Sequence, residues 1–125
     1  MWTKFALIAA AGAAGTLARY GMTVAVQRAA GAGFPWGTLA VNVAGCLLFG
    51  LVWGVAESRL PASGETRTIL LVGFMGAFTT FSTFAFETGQ MLHDARYLLA
   101  AGYVAASNVT GIAALIGGMA AGRAI

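Results

Sequence analysis

Charged residues make up only 9% of this 125-residue chain and hydrophobic residues 59%, whereas a soluble domain is about 25% charged. This composition excludes an ordinary soluble domain. The seven basic and four acidic residues give a net charge of +3 without a basic cluster, which argues against a nucleic-acid surface. One histidine and one cysteine are too few for a zinc site, and the single Cys46 cannot form an internal disulfide.

Four long, nearly charge-free stretches predict an all-α membrane protein with four transmembrane helices. Crossing a bilayer as a helix takes about 20 apolar residues, so four spans leave no room for a soluble domain. We therefore predict a single four-helix transmembrane domain over residues 1–125, with neighbouring helices antiparallel because their connections are short. The predicted spans are about 4–28, 37–57, 68–92 and 96–122.

The basic residues give only a weak charge bias across the membrane. An N-terminus in the cytoplasm would put inside Lys4, Arg59, Arg67 and Arg123, and outside Arg28 and Arg96. By the positive-inside rule, so small a difference permits insertion in either orientation. Arg19 is the only cation well within a span; it either snorkels to the interface or raises the anion concentration in a vestibule.

In the second span, Thr38 and Asn42 are one helical turn apart and point to the same face. A buried carboxamide must be hydrogen-bonded, because an unpaired one costs several kcal/mol in lipid. Two interpretations stay open for Asn42. It either ties two helices together, or its NH2 group donates to a passing anion or orients a pore.

Two glycine pairs have the GxxxG spacing that lets helix backbones approach closely. They are Gly50 with Gly54 in the second span and Gly118 with Gly122 in the fourth. The spacing predicts tight helix packing within one chain, between chains, or both.

The third span is interrupted at residues 76–84, Gly-Ala-Phe-Thr-Thr-Phe-Ser-Thr-Phe. Glycine followed by β-branched and hydroxyl residues weakens a helix, so we predict a break near 76–80. In lipid, such loosened backbone is tolerated only against protein or along a water-filled path. The break therefore suggests that something small crosses the membrane here.

Two aromatic residues just after the break, Phe81 and Phe84, share a face among hydroxyl side chains. They are either plain packing groups or part of an ion path. The positive edge of a phenyl ring can replace part of an anion's water shell while binding it weakly enough for release. Glu87 is the only acid well within a span, and it would repel anions unless paired or protonated.

The fourth span carries a stripe at i, i+4 and i+8, formed by Tyr103, Ser107 and Gly111, with Thr110 beside it. The hydroxyls either bond to carbonyls of their own helix or line a polar track. The stripe together with Asn42 favours the track.

At these residues the chain closely resembles the Fluc family (also called CrcB) of small bacterial fluoride channels. The resemblance lies in residues 15–20 (Gly-Thr-Leu-Ala-Arg-Tyr), 37–42 (Gly-Thr-Leu-Ala-Val-Asn) with Gly45, and 76–84 with Glu87. Length and four-span layout match too, so the resemblance covers nearly the whole chain.

The resemblance implies a dual-topology homodimer, with two subunits inserted antiparallel and two pores bordered by both. It implies passive fluoride export across the bacterial cytoplasmic (inner) membrane, which lowers fluoride toxicity in the cytoplasm. It also implies a structural Na⁺ ion on the dimer axis, held by the backbone carbonyls of Gly76 and Thr79 from both subunits. Carbonyls freed by a helix break are suitable ligands for such a hard cation.

The same resemblance implies roles for individual side chains. Phe81 and Phe84 would contact the ion and Asn42 would be the pore amide. The expected polar lining consists of Ser82, Thr83, Tyr103 and Ser107, to which we add Thr38 from the face of Asn42. Arg19 and Glu87 are assigned as vestibule or structural charges. The family commonly has a serine at the place of Gly111. This chain therefore departs from the family pattern where the fourth span would line the end of the ion path.

Two other functions remain open at this point. A proton-coupled exporter of small cations would need a buried carboxylate in the first span, where this chain has Arg19 instead. The other is a non-conducting assembly subunit. Neither a nucleophile triad nor a phosphate-binding glycine loop occurs, so we do not expect an enzyme.

Overall fold

The computed structural model describes residues 1–58 and 64–125. These residues include four helices long and apolar enough to cross a membrane: Trp2–Ala30, Trp36–Glu57, Gly64–His93 and Tyr97–Ala124. The predicted all-α membrane fold is thereby confirmed. Arg59, which enters the charge comparison above, lies outside the described residues.

The first two helices are α1 (Trp2–Ala30) and α2 (Trp36–Ser58). Helix α1 ends at Gly31, whose φ of +89° lies in the region that favours glycine. Its amide donates to the carbonyl of Gln27 at 3.0 Å and closes the last turn of the helix. Pro35 then precedes α2, where its fixed φ is compatible with a helix start.

The third span consists of two helices separated by extended backbone. We name as α3 its three consecutive segments, which are Gly64–Thr68, the π-helical Ile69–Met75, and Gly76–Phe78. Thr79 and Thr80 then have ψ angles of 159° and 108°, which are extended rather than helical. Helix α4 follows at Phe81–His93. The predicted break near 76–80 is confirmed, whereas the π-helical segment was not predicted.

Glycines bring α2 and the last helix, α5 (Tyr97–Ala124), into backbone contact. A Cβ on Gly50 would overlap the carbonyl oxygen of Leu115, and one on Gly118 would overlap that of Leu47. Gly54 and Gly122 likewise meet the backbone of the opposite helix. We call these four residues the glycine seam. The predicted close packing is thus present within a single chain.

Helix α3 packs on α1 in the same manner. A Cβ on Gly15 would overlap the carbonyl oxygen of Phe74, so the two backbones touch at this point. Gly73 lies against Ile8 and Ala11 of α1. The half of the third span before the break is therefore fixed by α1, and the break is presented toward α2.

Candidate functional site

Asn42 bridges the break in the third span. Its Nδ2 donates to the carbonyl oxygen of Thr80 at 3.1 Å, and the Thr80 amide donates to Asn42 Oδ1 at 2.8 Å. The carboxamide thus satisfies the Thr80 amide, which has no helical partner, and adds a second bond to the carbonyl that begins α4. The helix-tying interpretation of Asn42 is correct, and its second Nδ2 hydrogen is not used by this pair.

Thr80 is the centre of a small hydroxyl cluster at the start of α4. Its Oγ1 accepts from the Thr83 amide at 3.2 Å and caps the helix. The same oxygen donates to Thr83 Oγ1 at 2.9 Å and lies 3.4 Å from Ser82 Oγ. Ser82 and Thr83, which sequence analysis assigns to the polar lining, are exposed and surround this buried threonine.

The helix break also frees two carbonyl groups. In a continuous helix, the Thr80 amide would bond to the carbonyl of Gly76, and the Thr83 amide to that of Thr79. Instead, these amides donate to Asn42 and to the Thr80 hydroxyl. The carbonyls of Gly76 and Thr79, which are the predicted cation ligands, therefore lack these helical partners. Among the described residues, no group of three His, Cys, Asp or Glu side chains could hold a metal instead.

An open groove of about 460 Å³ lies beside the break. It brings together four of the predicted path residues, which are Asn42, Phe81, Phe84 and Ser107. None of the described residues that line it is charged. The groove therefore offers neutral donors and aromatic rings to whatever enters it.

The aromatic side of the groove has two rings in contact. The centroids of Phe81 and Phe84 are 5.7 Å apart and their planes are tilted by 48°. Phe84 also contacts the ring of Tyr103 at 5.1 Å, which fixes its position. Phe81, in contrast, is 79% exposed within one chain. Its ring therefore has room for a ligand or a neighbouring subunit on its outer face.

Ser107 supplies an unused donor to the groove. Its Oγ is buried, yet it has no hydrogen-bond partner among the described residues. Buried hydroxyls in proteins are almost always paired, so an orphaned one beside a groove indicates a position for a ligand or water. Thr110 behaves differently, because its hydroxyl donates to the Ala106 carbonyl of its own helix at 2.6 Å.

Glu87 is paired with two hydroxyl groups rather than with a cation. Thr38 Oγ1 donates to its Oε1 at 2.8 Å, and the Tyr103 hydroxyl donates to its Oε2 at 2.7 Å. Thr38 is 2% exposed and Tyr103 is fully buried, so these bonds are shielded from solvent. The carboxylate that would have repelled an anion is therefore occupied at both oxygens.

Arg19 and Gly111 do not join this arrangement. No residue of α1 lines the groove, and the Arg19 side chain has neither a hydrogen bond nor an ion pair to the parts of the chain that the structure describes. A Cβ on Gly111 would lie 3.5 Å from Cys46 Sγ, so the thiol of α2 occupies the space beside this glycine. The polar stripe of the fourth span thus ends at Ser107.

Thr80, which is 7% exposed and holds the break together from both sides, was not among the predicted site residues. Threonine is among the residues preferred at a helix N-cap, and Thr80 follows the residues that weaken the helix, so its residue type was a usable signal. The pairing of Thr38 with Glu87 was not predicted either. That contact depends on how α2 and α4 meet, for which the sequence contains no local signal.

The geometry is suited to weak binding of a small anion. Amide and hydroxyl donors with positive ring edges can replace part of a hydration shell. A nearby fixed cation would bind the anion more tightly and slow its release. The described lining residues include no such cation.

The sequence matches the family described as CrcB-like protein, Camphor Resistance (CrcB), over residues 6–119. A relative from Nitrosococcus oceani is 57% identical over 112 residues, covering 90% of each chain. One from Solidesulfovibrio magneticus is 52% identical over the whole of both chains, and one from Nitratidesulfovibrio vulgaris is 49% identical over 98% of each. All three are named fluoride-specific ion channel FluC. The chain belongs to the CrcB family.

Proposed function

We propose that this protein is a fluoride-selective channel of the bacterial cytoplasmic membrane, through which fluoride leaves the cytoplasm passively. The observation that carries the proposal is the uncharged groove in which Phe81, Phe84, Asn42 and the unpaired Ser107 hydroxyl meet at the helix break. The names of its relatives support the choice of ion. Loss of fluoride by this route lowers its toxicity in the cytoplasm.

Selectivity in this proposal follows from the size and hydrogen-bonding strength of the ion. Fluoride is the smallest halide and the strongest hydrogen-bond acceptor among them, so it gains most from the Asn42 and Ser107 donors. The rings of Phe81 and Phe84 present positive edges that compensate partly for lost water. Chloride is larger and accepts hydrogen bonds more weakly, so its bonds to the same groups do not offset the free-energy cost of removing its water.

The alternative of a proton-coupled small-cation exporter is not favoured. Helix α1 contains no acidic residue, and the intramembrane carboxylate, Glu87, has both oxygens occupied by Thr38 and Tyr103. Relatives of high identity are named as channels rather than exporters or enzymes.

The proposed function is tested by ion efflux from liposomes that contain the purified protein. We expect fluoride to leave at least about tenfold faster than chloride, which corresponds to about 1.4 kcal/mol of discrimination. A fluoride electrode and a chloride electrode measure the two rates on the same preparation. Equal rates would refute selectivity, and absence of fluoride efflux would refute conduction.

The working unit in this proposal is an antiparallel homodimer with two pores. The groove is open on one side within a single chain, where Phe81 is 79% exposed and Gly76 is also exposed. A groove that offers unpaired polar atoms cannot face acyl chains without a large desolvation cost. A second copy, inserted in the opposite orientation, covers the open side and borders the path.

A structural Na⁺ ion on the dimer axis completes the proposed assembly. The carbonyls of Gly76 and Thr79 would hold it, together with the same groups of the second copy. Their loss of helical partners fits this role, because hard cations take oxygen ligands. When bound, the ion would supply charge compensation for four carbonyl dipoles that converge at the interface.

Three measurements test this assembly. Light scattering should give twice the mass of one chain, and replacing Na⁺ by N-methyl-D-glucamine should lower the unfolding temperature by several degrees.

The dual topology is tested by labelling. In intact cells, Ile125→Cys should react in part with an impermeant thiol reagent and completely after permeabilisation. A monomer, an unchanged unfolding temperature or all-or-none labelling would refute the dimer, the ion or the dual topology, respectively.

A further inference from the structure

A row of aromatic contacts runs from the helix break to the loop between α1 and α2. Beyond Phe81 and Phe84 it continues to Tyr103, whose ring centroid lies 5.3 Å from that of Phe34. Those two planes meet at 84°, in the edge-to-face geometry that aromatic rings prefer. The ring of Trp36 follows Phe34 at 4.5 Å. Phe34 is thus the loop residue that touches the proposed path tyrosine.

The Gln27 side chain holds this loop in place. Its Nε2 donates to the carbonyl oxygens of Gly31 and of Phe34, the latter at 2.9 Å. Its Oε1 accepts from the Gly37 amide at 3.1 Å, so all three bonds close the loop onto the end of α1. From the opposite side, Arg96 Nη2 lies 3.4 Å from the Gly33 carbonyl oxygen.

The buried Tyr103 is held at both ends, by polar partners at its hydroxyl and by aromatic rings at its sides. The hydroxyl donates to Glu87 at 2.7 Å, while the ring is held between Phe84 and Phe34. Removing Phe34 would take away the edge-to-face contact on one side of the buried Tyr103 ring, so the ring could adopt a wider range of orientations. Neither Phe34 nor Gln27 lines the groove, so their influence on it passes through Tyr103.

We propose that Phe34 is a positioning residue for Tyr103 and that Gln27 holds Phe34 against it. The positioning claim stands on the contacts alone. Its consequence for ion flux rests on the proposed function, because only a conducting protein can show it. The two claims are therefore tested by separate measurements.

Ring positioning is tested by NMR on protein labelled with ¹³C at the tyrosine Cζ atoms, whose shifts report the hydroxyl environment. The chain has three tyrosines, and Tyr103→Phe assigns the signal of Tyr103. We expect that signal to shift or broaden in Phe34→Leu and in Gln27→Glu, with Tyr20 and Tyr97 unchanged. Gln27→Glu keeps the size of the side chain but turns an oxygen toward two carbonyls.

Two matched variants separate positioning from simple core filling. Leucine conserves most of the apolar burial of Phe34, so a merely structural role would tolerate Phe34→Leu, whereas Phe34→Tyr keeps the ring and should restore the Tyr103 signal. Arg28→Gln changes the net charge by the same unit as Gln27→Glu at an exposed neighbour, and it should leave the signal unchanged. An unchanged Tyr103 signal in both Phe34→Leu and Gln27→Glu would overturn the proposal.

Fluoride efflux measures the consequence for transport. We expect Phe34→Leu and Gln27→Glu to slow efflux about three- to tenfold, and Phe34→Tyr and Arg28→Gln to stay near the original rate. If the Tyr103 signal moves while efflux does not, Phe34 positions the ring without controlling flux, and that part of the proposal fails. If the unaltered protein releases no fluoride, the proposed function fails, and the NMR result still decides the positioning.

Discussion

Replacing Asn42 by leucine is expected to reduce fluoride efflux at least about 30-fold. The change leaves the Thr80 amide without its acceptor and removes the second donor to the Thr80 carbonyl. An unpaired buried amide costs about 1–3 kcal/mol, and about 1.4 kcal/mol corresponds to a factor of ten. The break must then rearrange, and the groove loses its geometry together with an amide donor. Liposome efflux with a fluoride electrode measures the change.

Asn108→Leu is the matched control for this prediction. Asn108 lies at the rim of the same groove, but its Nδ2 donates to the Val104 carbonyl of its own helix at 2.8 Å. We expect efflux to fall less than about fivefold, because a helix carbonyl that loses a second donor keeps its backbone bond. Equal losses at Asn42 and Asn108 would mean that the bridge to Thr80 does not matter for conduction.

A single methyl group on the glycine seam is expected to destabilise the fold strongly. In Gly118→Ala, the new Cβ would overlap the Leu47 carbonyl and lie 2.9 Å from the Leu51 amide nitrogen. Both groups are backbone and cannot rotate away, so α2 and α5 must separate. We expect the free energy of unfolding to drop by about 2 kcal/mol or more. Thermal unfolding in detergent measures it.

Gly117→Ala provides the control one residue earlier. A Cβ there meets no atom within 4 Å, so the substitution adds helix propensity without a clash. We expect the protein to be unchanged or stabilised by up to about 1 kcal/mol. If both alanines were equally harmless, the close approach of α2 and α5 would be wrong.

The parts of the fold that sequence analysis predicted depend on local composition. Apolar stretches of sufficient length specify spans in any membrane protein, and the run from Gly76 to Phe84 contains the residues that weaken a helix. The glycine seam was also readable, because GxxxG spacing places small residues on one face. The sequence predicted that the helix breaks near 76–80, and the structure shows that the extended residues are Thr79 and Thr80.

The parts that were missed depend on contacts between distant residues. Thr80 becomes the extended residue because Asn42, 38 positions earlier, takes both of its backbone groups. The partner of Glu87 likewise follows from how α2, α4 and α5 meet, since Thr38 and Tyr103 come from two other helices. The π-helical segment Ile69–Met75 has an ordinary apolar composition that does not distinguish it from an α-helix.

The bridge between Asn42 and Thr80 has a consequence for biosynthesis. Ribosomes make the chain from its N-terminus, so α2 emerges and enters the bilayer before the segment that will accept its carboxamide exists. During that interval the amide must stay hydrated or be shielded by the insertion machinery. Once the third span has been made, the amide that was unpaired in the nascent chain can bond to Thr80 and hold the helix break in place.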